Sequence, residues 1–164
     1  MLVDQMRQAS VAGLWFVALT TALALPDICG ALASENGRAT GSKYRAWVSQ
    51  YIEGEDEESA ERLWKLRCSL LHQGSMQTSG MDPIGFLVPD EGQSQMHGLS
   101  IQMSETERIN MMSIPIFVDD VATGVGTWLN DVAGSSRFAR NVGKSAHLRR
   151  DDLQPVIRGA WVIR

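Results

Sequence analysis

The chain has 164 residues, of which 44% are hydrophobic and 21% are charged, and its formal net charge is −4. This length favours one domain with a proper hydrophobic core. The composition excludes collagen, coiled-coil and wholly disordered proteins, and two cysteines are too few for a disulfide framework. The sequence contains no CxxC motif or Cys/His cluster typical of zinc sites, so we expect neither a metal nor another cofactor.

The N-terminal region contains an apolar run, residues 11–25, which only two threonines interrupt. A helix that spans a membrane needs roughly 20 apolar residues, so this run is too short. A secretory leader is the alternative, because residues 22–24 resemble a cleavage site. The leader would lack a clearly basic start, and the apolar pattern continues beyond residue 25. We therefore predict a buried core helix in a cytoplasmic protein that does not contact a membrane.

The remaining pattern predicts a mainly α fold with a small β element. Pro26 should end the first helix, because proline lacks an amide proton and clashes with the preceding turn. Two alternating apolar segments predict short strands between the fourth helix and the last long helix. The predicted helices are residues 4–25, 27–33, 43–52, 57–72 and 116–132, and the predicted strands are residues 84–88 and 99–103. We expect one domain over residues 1–152, followed by a tail, residues 153–164, that could form a strand from residue 156.

The fourth helix places an arginine in the middle of its apolar stripe. At about 100° per residue, several apolar side chains fall within about 60° of Arg67. They are Ala60, Leu63, Trp64, Leu70 and Leu71. Arg62 and Lys65 should lie far from this stripe, as ordinary surface charges. Because an unpaired charge among apolar groups costs several kcal/mol, we expect an internal carboxylate, a second subunit or a bound anion beside Arg67. Asp27 and Glu35 are the candidate internal carboxylates.

His72 follows Arg67 by five residues and lies about 140° away around the helix. The two side chains can therefore meet only near a helix end, at a kink or across a subunit interface. An arginine beside a histidine is suited to cleavage of an RNA phosphodiester bond. His72 would move protons at the 2′-hydroxyl and the leaving 5′-oxygen, and Arg67 would stabilise charge on the phosphate oxygens. The structural alternative for His72 is a bond to backbone carbonyls at the helix end.

Residues 67–72 (RCSLLH) match the R-x4-6-H motif on a helix and resemble the HEPN domains. More locally, residues 25–30 (LPDICG) and 66–74 (LRCSLLHQG) look like an uncharacterised family of small bacterial proteins, which implies no activity. The HEPN resemblance implies a helical bundle and a homodimer whose paired motifs form one cleft. It also implies a metal-independent endoribonuclease that leaves 2′,3′-cyclic phosphate and 5′-hydroxyl ends, with Arg67 and His72 as catalytic residues. RNA and an antitoxin-like protein are then the candidate partners.

Cys68 departs from the HEPN pattern, because active members usually carry a polar Asn, Asp or His after the arginine. A non-catalytic, dimeric binding or regulatory module is therefore the alternative function. A second match to the motif, from Arg140 to His147, is discounted because the intervening residues are typical of a loop. His97 lies in a polar stretch, and we expect it to have no partner and no role.

Residues 137–150 form a basic segment in an acidic protein, with five Lys or Arg residues and no acid. Such a cluster can follow a phosphate backbone. Docking against the acidic residues 53–61 and a solvated tail are the alternatives. Phe138 is the only aromatic residue in the segment, so base stacking is not predicted there. The candidate RNA-binding residues are Arg137, Arg140, Lys144, Arg149 and Arg150.

Overall fold

The computed structural model describes residues 2–89, 96–153 and 157–163, and for residues 149, 151–153 and 157–160 it describes the backbone only. This part of the chain is mainly helical, with a three-stranded sheet and a two-stranded hairpin. The helices are α1 (Leu2–Val11), α2 (Trp15–Leu32), α3 (Gly41–Tyr51), α4 (Glu57–Gln73), α5 (Ile114–Val132) and α6 (Ser136–Val142). The strands are β1 (Ile84–Leu87), β2 (Leu99–Gln102), β3 (Arg108–Ser113), β4 (Leu148–Leu153) and β5 (Ile157–Ile163).

The apolar N-terminal run is divided between two helices, and the division does not lie at Pro26. Gly13 separates α1 from α2 with a left-handed φ of +73°, a conformation that glycine adopts without steric cost. The predicted helix end at Pro26 is wrong, because α2 continues through this residue to Leu32. Proline removes one backbone hydrogen bond from a helix. Here its neighbours Leu23, Leu25 and Cys29 are buried, and this packing outweighs the local preference.

The 18 residues of α2 are sufficient in length and hydropathy to cross a membrane. The apolar run of residues 11–25 was too short by itself, but α2 continues beyond it to Leu32. Half of these residues are buried inside the fold, which is also what a core helix shows. The helix contacts α1, α3, α4, α5 and α6, so it lies at the centre of the bundle.

The positions of α3 and α4 agree with the prediction to within two residues. Local capping side chains set the start of each helix. The Thr40 side chain caps α3 and accepts a hydrogen bond from the Lys43 amide. The Asp56 side chain caps α4 and accepts from the Ser59 amide at 2.9 Å. Gly74 ends α4 with a left-handed φ of 66°, which glycine adopts without steric cost.

The predicted β element between α4 and the last long helix is present as a sheet in the order β1-β3-β2. Strand β1 pairs with β3 in parallel, and β2 pairs with β3 in antiparallel orientation. The sequence pattern identified the two outer strands but missed the central strand β3. The chain passes directly from β3 into α5, which begins at Ile114 with a proline in its first turn.

The C-terminal part contains two further elements that the sequence did not predict, α6 and β4. The Asn141 side chain attaches α6 to the end of α2 by donating to the carbonyls of Leu32 and Ser34, at 3.0 and 2.7 Å. Strand β5 agrees with the predicted tail strand from residue 157 onward, and residue 156 lies outside the described residues. The expected domain boundary after residue 152 falls inside β4.

Candidate functional site

Arg67 has an internal carboxylate beside it. Its Nη2 atom lies 2.5 Å from Oδ2 of Asp27, and the side chains of Arg67 and Asp27 are only 19% and 9% exposed. The guanidinium carbon also lies 5.3 Å from the ring centroid of Trp64. Of the partners considered from sequence, the internal carboxylate Asp27 is therefore present. The ion pair and the ring fix two sides of the guanidinium.

The uninterrupted course of α2 places Asp27 against α4, one residue after Pro26. Burial raises the pKa of the Asp27 carboxyl, and the neighbouring Arg67 and His72 counteract this effect only in part. Tyr44 is completely buried, and both its burial and the nearby Asp27 raise the pKa of its hydroxyl. Its ring lies 5.2 Å from Trp64, so aromatic residues enclose one side of the ion pair.

His72 meets Arg67 despite their angular separation on the helix. The distance from Arg67 Nη1 to His72 Nε2 is 3.2 Å. The two side chains meet at the end of α4, which is one of the three arrangements that the sequence allowed. Because a guanidinium can only donate, this contact is a hydrogen bond when Nε2 of His72 is the accepting nitrogen, that is, in the tautomer with its proton on Nδ1. His72 is exposed, so a solvent-borne ligand can reach it.

Cys68 completes the surroundings of the guanidinium, because Arg67 Nη1 donates to its Sγ atom at 3.9 Å. One terminal nitrogen of Arg67 therefore pairs with Asp27, and the other is directed to the thiol and the imidazole. The ion pair between Arg67 and Asp27 has no net charge. A phosphate at this site would meet hydrogen-bond donors in a fixed geometry but little net positive charge from one subunit.

The basic segment, residues 137–150, extends from α6 into the start of β4. Two of its arginines form ion pairs with a carboxylate of the same chain. Arg137 Nε lies 2.8 Å from Oε1 of Glu35. Arg140 Nη2 lies 3.6 Å from Oε2 of the same residue and donates to its carbonyl at 2.9 Å. Both arginine side chains are still nearly half exposed. Of the other candidate RNA-binding residues, Lys144 and Arg150 are exposed, and the side chain of Arg149 lies outside the described part of the chain.

Arg62 is not the surface charge that the helical wheel predicted. Its side chain is 12% exposed, which makes it more buried than that of Arg67, and its Nη2 pairs with Glu58 at 2.7 Å. The residue lines a cavity of about 250 Å³ together with Ile84 and Met111 of the sheet. The sheet therefore covers this side of α4, and a wheel of one helix cannot reveal such a neighbour.

His97 also differs from the expectation, because it has two partners. Its Nδ1 accepts a hydrogen bond from the Ser113 amide at 3.2 Å, and its Nε2 lies 3.3 Å from Oδ2 of Asp120. Burial raises the pKa of the Asp120 carboxyl. Both ring nitrogens of His97 are engaged within the fold, so the residue joins the start of β2 to the junction between β3 and α5.

Within residues 2–89, 96–153 and 157–163, no group of three or more His, Cys, Asp or Glu side chains is placed to hold a metal ion. No family model, no curated protein and no solved structure matches the chain. The functional proposal therefore depends on the geometry around Arg67 and on the motif itself.

Proposed function

We propose that the protein is a HEPN-like, metal-independent endoribonuclease. The observation that carries this proposal is the 3.2 Å contact between Arg67 Nη1 and His72 Nε2 at the exposed end of α4. The contact brings together the two residues of the R-x4-6-H motif, so that Arg67 can donate to a phosphate beside the imidazole of His72. The buried Asp27 and the half-buried Trp64 support it, because a fixed guanidinium loses little freedom when a phosphate binds.

The reaction follows from the chemistry of these two side chains. When Arg67 Nη1 turns to the phosphate it releases His72 Nε2, which takes the proton from a ribose 2′-hydroxyl, and the 2′-oxygen attacks the adjacent phosphorus. The bond from phosphorus to the 5′-oxygen breaks, and the leaving oxygen takes the proton from the imidazolium that His72 has become. Arg67 Nη1 donates to a phosphate oxygen as negative charge increases there. The products are a 2′,3′-cyclic phosphate and a 5′-hydroxyl.

A homodimer is part of the proposal, since two copies of the motif would supply two guanidinium groups and two imidazoles to one cleft. A stripe on α2 supports it, formed by the exposed Val17 and Ile28 and by the half-buried Thr20, Thr21 and Ala24. Both threonine hydroxyls donate to backbone carbonyls of the same helix, so the stripe offers an apolar surface. It ends beside Asp27, and a second subunit packed there would lie next to the candidate site.

A non-catalytic, dimeric HEPN-like binding or regulatory module is the second candidate. The specific observation in its favour is the ion pair between Arg67 and Asp27, which already neutralises the guanidinium. In this case Arg67 would organise the subunit interface, and His72 would have no proton to transfer.

The two candidates differ in an RNA cleavage assay performed in EDTA. The wild-type protein should produce 2′,3′-cyclic phosphate ends, and His72→Ala should lower the rate by about 10²- to 10⁴-fold. The exposed neighbour Gln73 provides a matched control, and Gln73→Ala should retain the wild-type rate. Cleavage by His72→Ala at the wild-type rate contradicts the proposal, and a wild-type protein that binds RNA without cleaving it supports the binding module.

A further inference from the structure

A second cavity, of about 540 Å³, lies between the C-terminal part of α2, α3, the end of α5 and the start of α6. Two basic side chains, Lys43 and Arg137, line it together with the aromatic residues Trp47, Tyr51 and Trp128. This volume is within the range of small-molecule sites in proteins. The cavity is separate from the cluster of Arg67 and His72, but Gly30 in its wall lies one turn of α2 after Asp27, about 4.5 Å along the helix axis.

The cavity is locally basic although the whole chain is acidic. Glu35 is the only acid among the described residues that line it, and it pairs with Arg137 at 2.8 Å. Arg140 approaches the same carboxylate from outside the cavity. Lys43 Nζ donates to the carbonyl of Arg38 and has no carboxylate partner among the described residues. The basic groups therefore outnumber the acid, and the cavity favours an anionic ligand.

The aromatic part of the wall is rigid and polar at its edge. The rings of Trp47 and Tyr51 lie 5.5 Å apart, and the Tyr51 hydroxyl donates to Asp131 at 3.0 Å. Trp47 is 4% exposed, and its indole N–H has no acceptor in the described part of the chain. The amide of Gln50 also lines the cavity.

We propose that this cavity binds a nucleotide unit, with its phosphate at Lys43 and Arg137 and its base against the ring of Tyr51, which is more exposed than the buried rings of Trp47 and Trp128. Basic side chains combined with aromatic rings are the usual means by which proteins hold single-stranded nucleic acid. The nucleotide can be a free monophosphate or one residue of an RNA strand. The strand version rests on the proposed function, and it would place the RNA backbone near Asp27 of α2, which pairs with Arg67 of the proposed cleavage site on α4.

Tryptophan fluorescence tests the site directly, because Trp47 and Trp128 lie in its wall. The full chain is titrated with AMP and, separately, with a short 2′-O-methyl oligoribonucleotide that cannot be cleaved through a 2′-oxygen. Both Lys43→Gln and Arg137→Gln should weaken binding about tenfold, as expected for the loss of a charged hydrogen bond. Lys65→Gln and Arg7→Gln are matched controls elsewhere on the surface, and each should leave the affinity unchanged.

The outcomes separate the ligand sources and the two proposals. Binding of AMP shows that a single nucleotide is sufficient, and binding of the oligonucleotide alone identifies an RNA strand as the ligand. Failure of both ligands to bind overturns the nucleotide site. An affinity that Lys43→Gln and Arg137→Gln do not change also overturns it, and so does an equal fluorescence response to inorganic phosphate. His72→Ala should slow cleavage by about 10²- to 10⁴-fold and leave this affinity intact, so the failure of one proposal is distinguishable from the failure of the other.

Discussion

Removal of the Arg67 charge should destabilise the fold in a pH-dependent manner. The substitution Arg67→Met keeps most of the apolar stem but leaves Asp27, which is 9% exposed, without its cation. Loss of one partner of a buried ion pair costs about 3–5 kcal/mol. Because Asp27 can escape part of this cost by taking up a proton, we expect a loss of about 3 kcal/mol at pH 8. For a chain of this length, that loss lowers Tm by about 6–12 °C.

The sign of the pH dependence follows from the carboxyl group. Burial already raises the pKa of Asp27 in the folded protein, and removal of Arg67 raises it further. A carboxyl whose pKa is raised in the folded state stabilises the fold while it is protonated, and this contribution is complete below about pH 4. The contribution is lost as the pH rises through the folded-state pKa, because the buried carboxyl then ionises. The deficit of Arg67→Met relative to wild type should therefore be small in acid and grow toward pH 8.

The assay is thermal and urea unfolding of the wild type, Arg67→Met and the double variant Arg67→Met/Asp27→Asn between pH 4 and pH 8. The double variant should recover most of the loss at pH 8, because no buried charge remains. Arg7→Met is the matched control, since its partner Asp119 is 68% exposed and the pair contributes about 0.5 kcal/mol. A deficit of Arg67→Met that is independent of pH, or no larger than that of Arg7→Met, refutes the role assigned to the ion pair.

Three further substitutions test the framework that carries the site. Gly124→Ala should cost about 1–3 kcal/mol in urea unfolding, because its Cβ would lie 2.6 Å from the Tyr51 carbonyl oxygen where α5 crosses the end of α3. Gly126→Ala in the same helix meets no atom within 4 Å and should stabilise the protein by about 0.5–1 kcal/mol, and a loss at this position would contradict the packing described. Asp56→Ala should cost about 1 kcal/mol, since it removes the side-chain cap of α4, and unchanged stability would show that the cap contributes nothing.

Local signals explain which parts of the fold the sequence could predict. The start and end of α4 depend on the Asp56 cap and on Gly74, which are next to the helix in sequence, and both were predictable. The outer strands of the sheet were also recognisable from their apolar segments. The continuation of α2 through Pro26 was not predictable from sequence. The packing of α2 against five other helices keeps it helical, and a proline in the sequence contains no information about those neighbours.

The candidate site was predictable only in part for a similar reason. The apolar stripe around Arg67 indicated that this charge needs a partner, and Asp27 was one of two candidates. The burial of Arg62 depends on the sheet, and the pair of His97 with Asp120 joins distant segments, so neither is visible in one helix or loop. The aromatic neighbours of Arg137 likewise come from α3 and α5 rather than from its own basic segment.

The cleavage chemistry is tested most directly by two oligonucleotides of one sequence, an RNA and its 2′-deoxy counterpart, each incubated with the wild-type protein and with His72→Ala in EDTA. The proposed mechanism predicts that only the RNA is cut, only by the wild type, and only to a cyclic phosphate, because the attacking atom is the 2′-oxygen and His72 removes its proton. Cleavage of the 2′-deoxy strand, or equal cleavage of the RNA by His72→Ala, would contradict it.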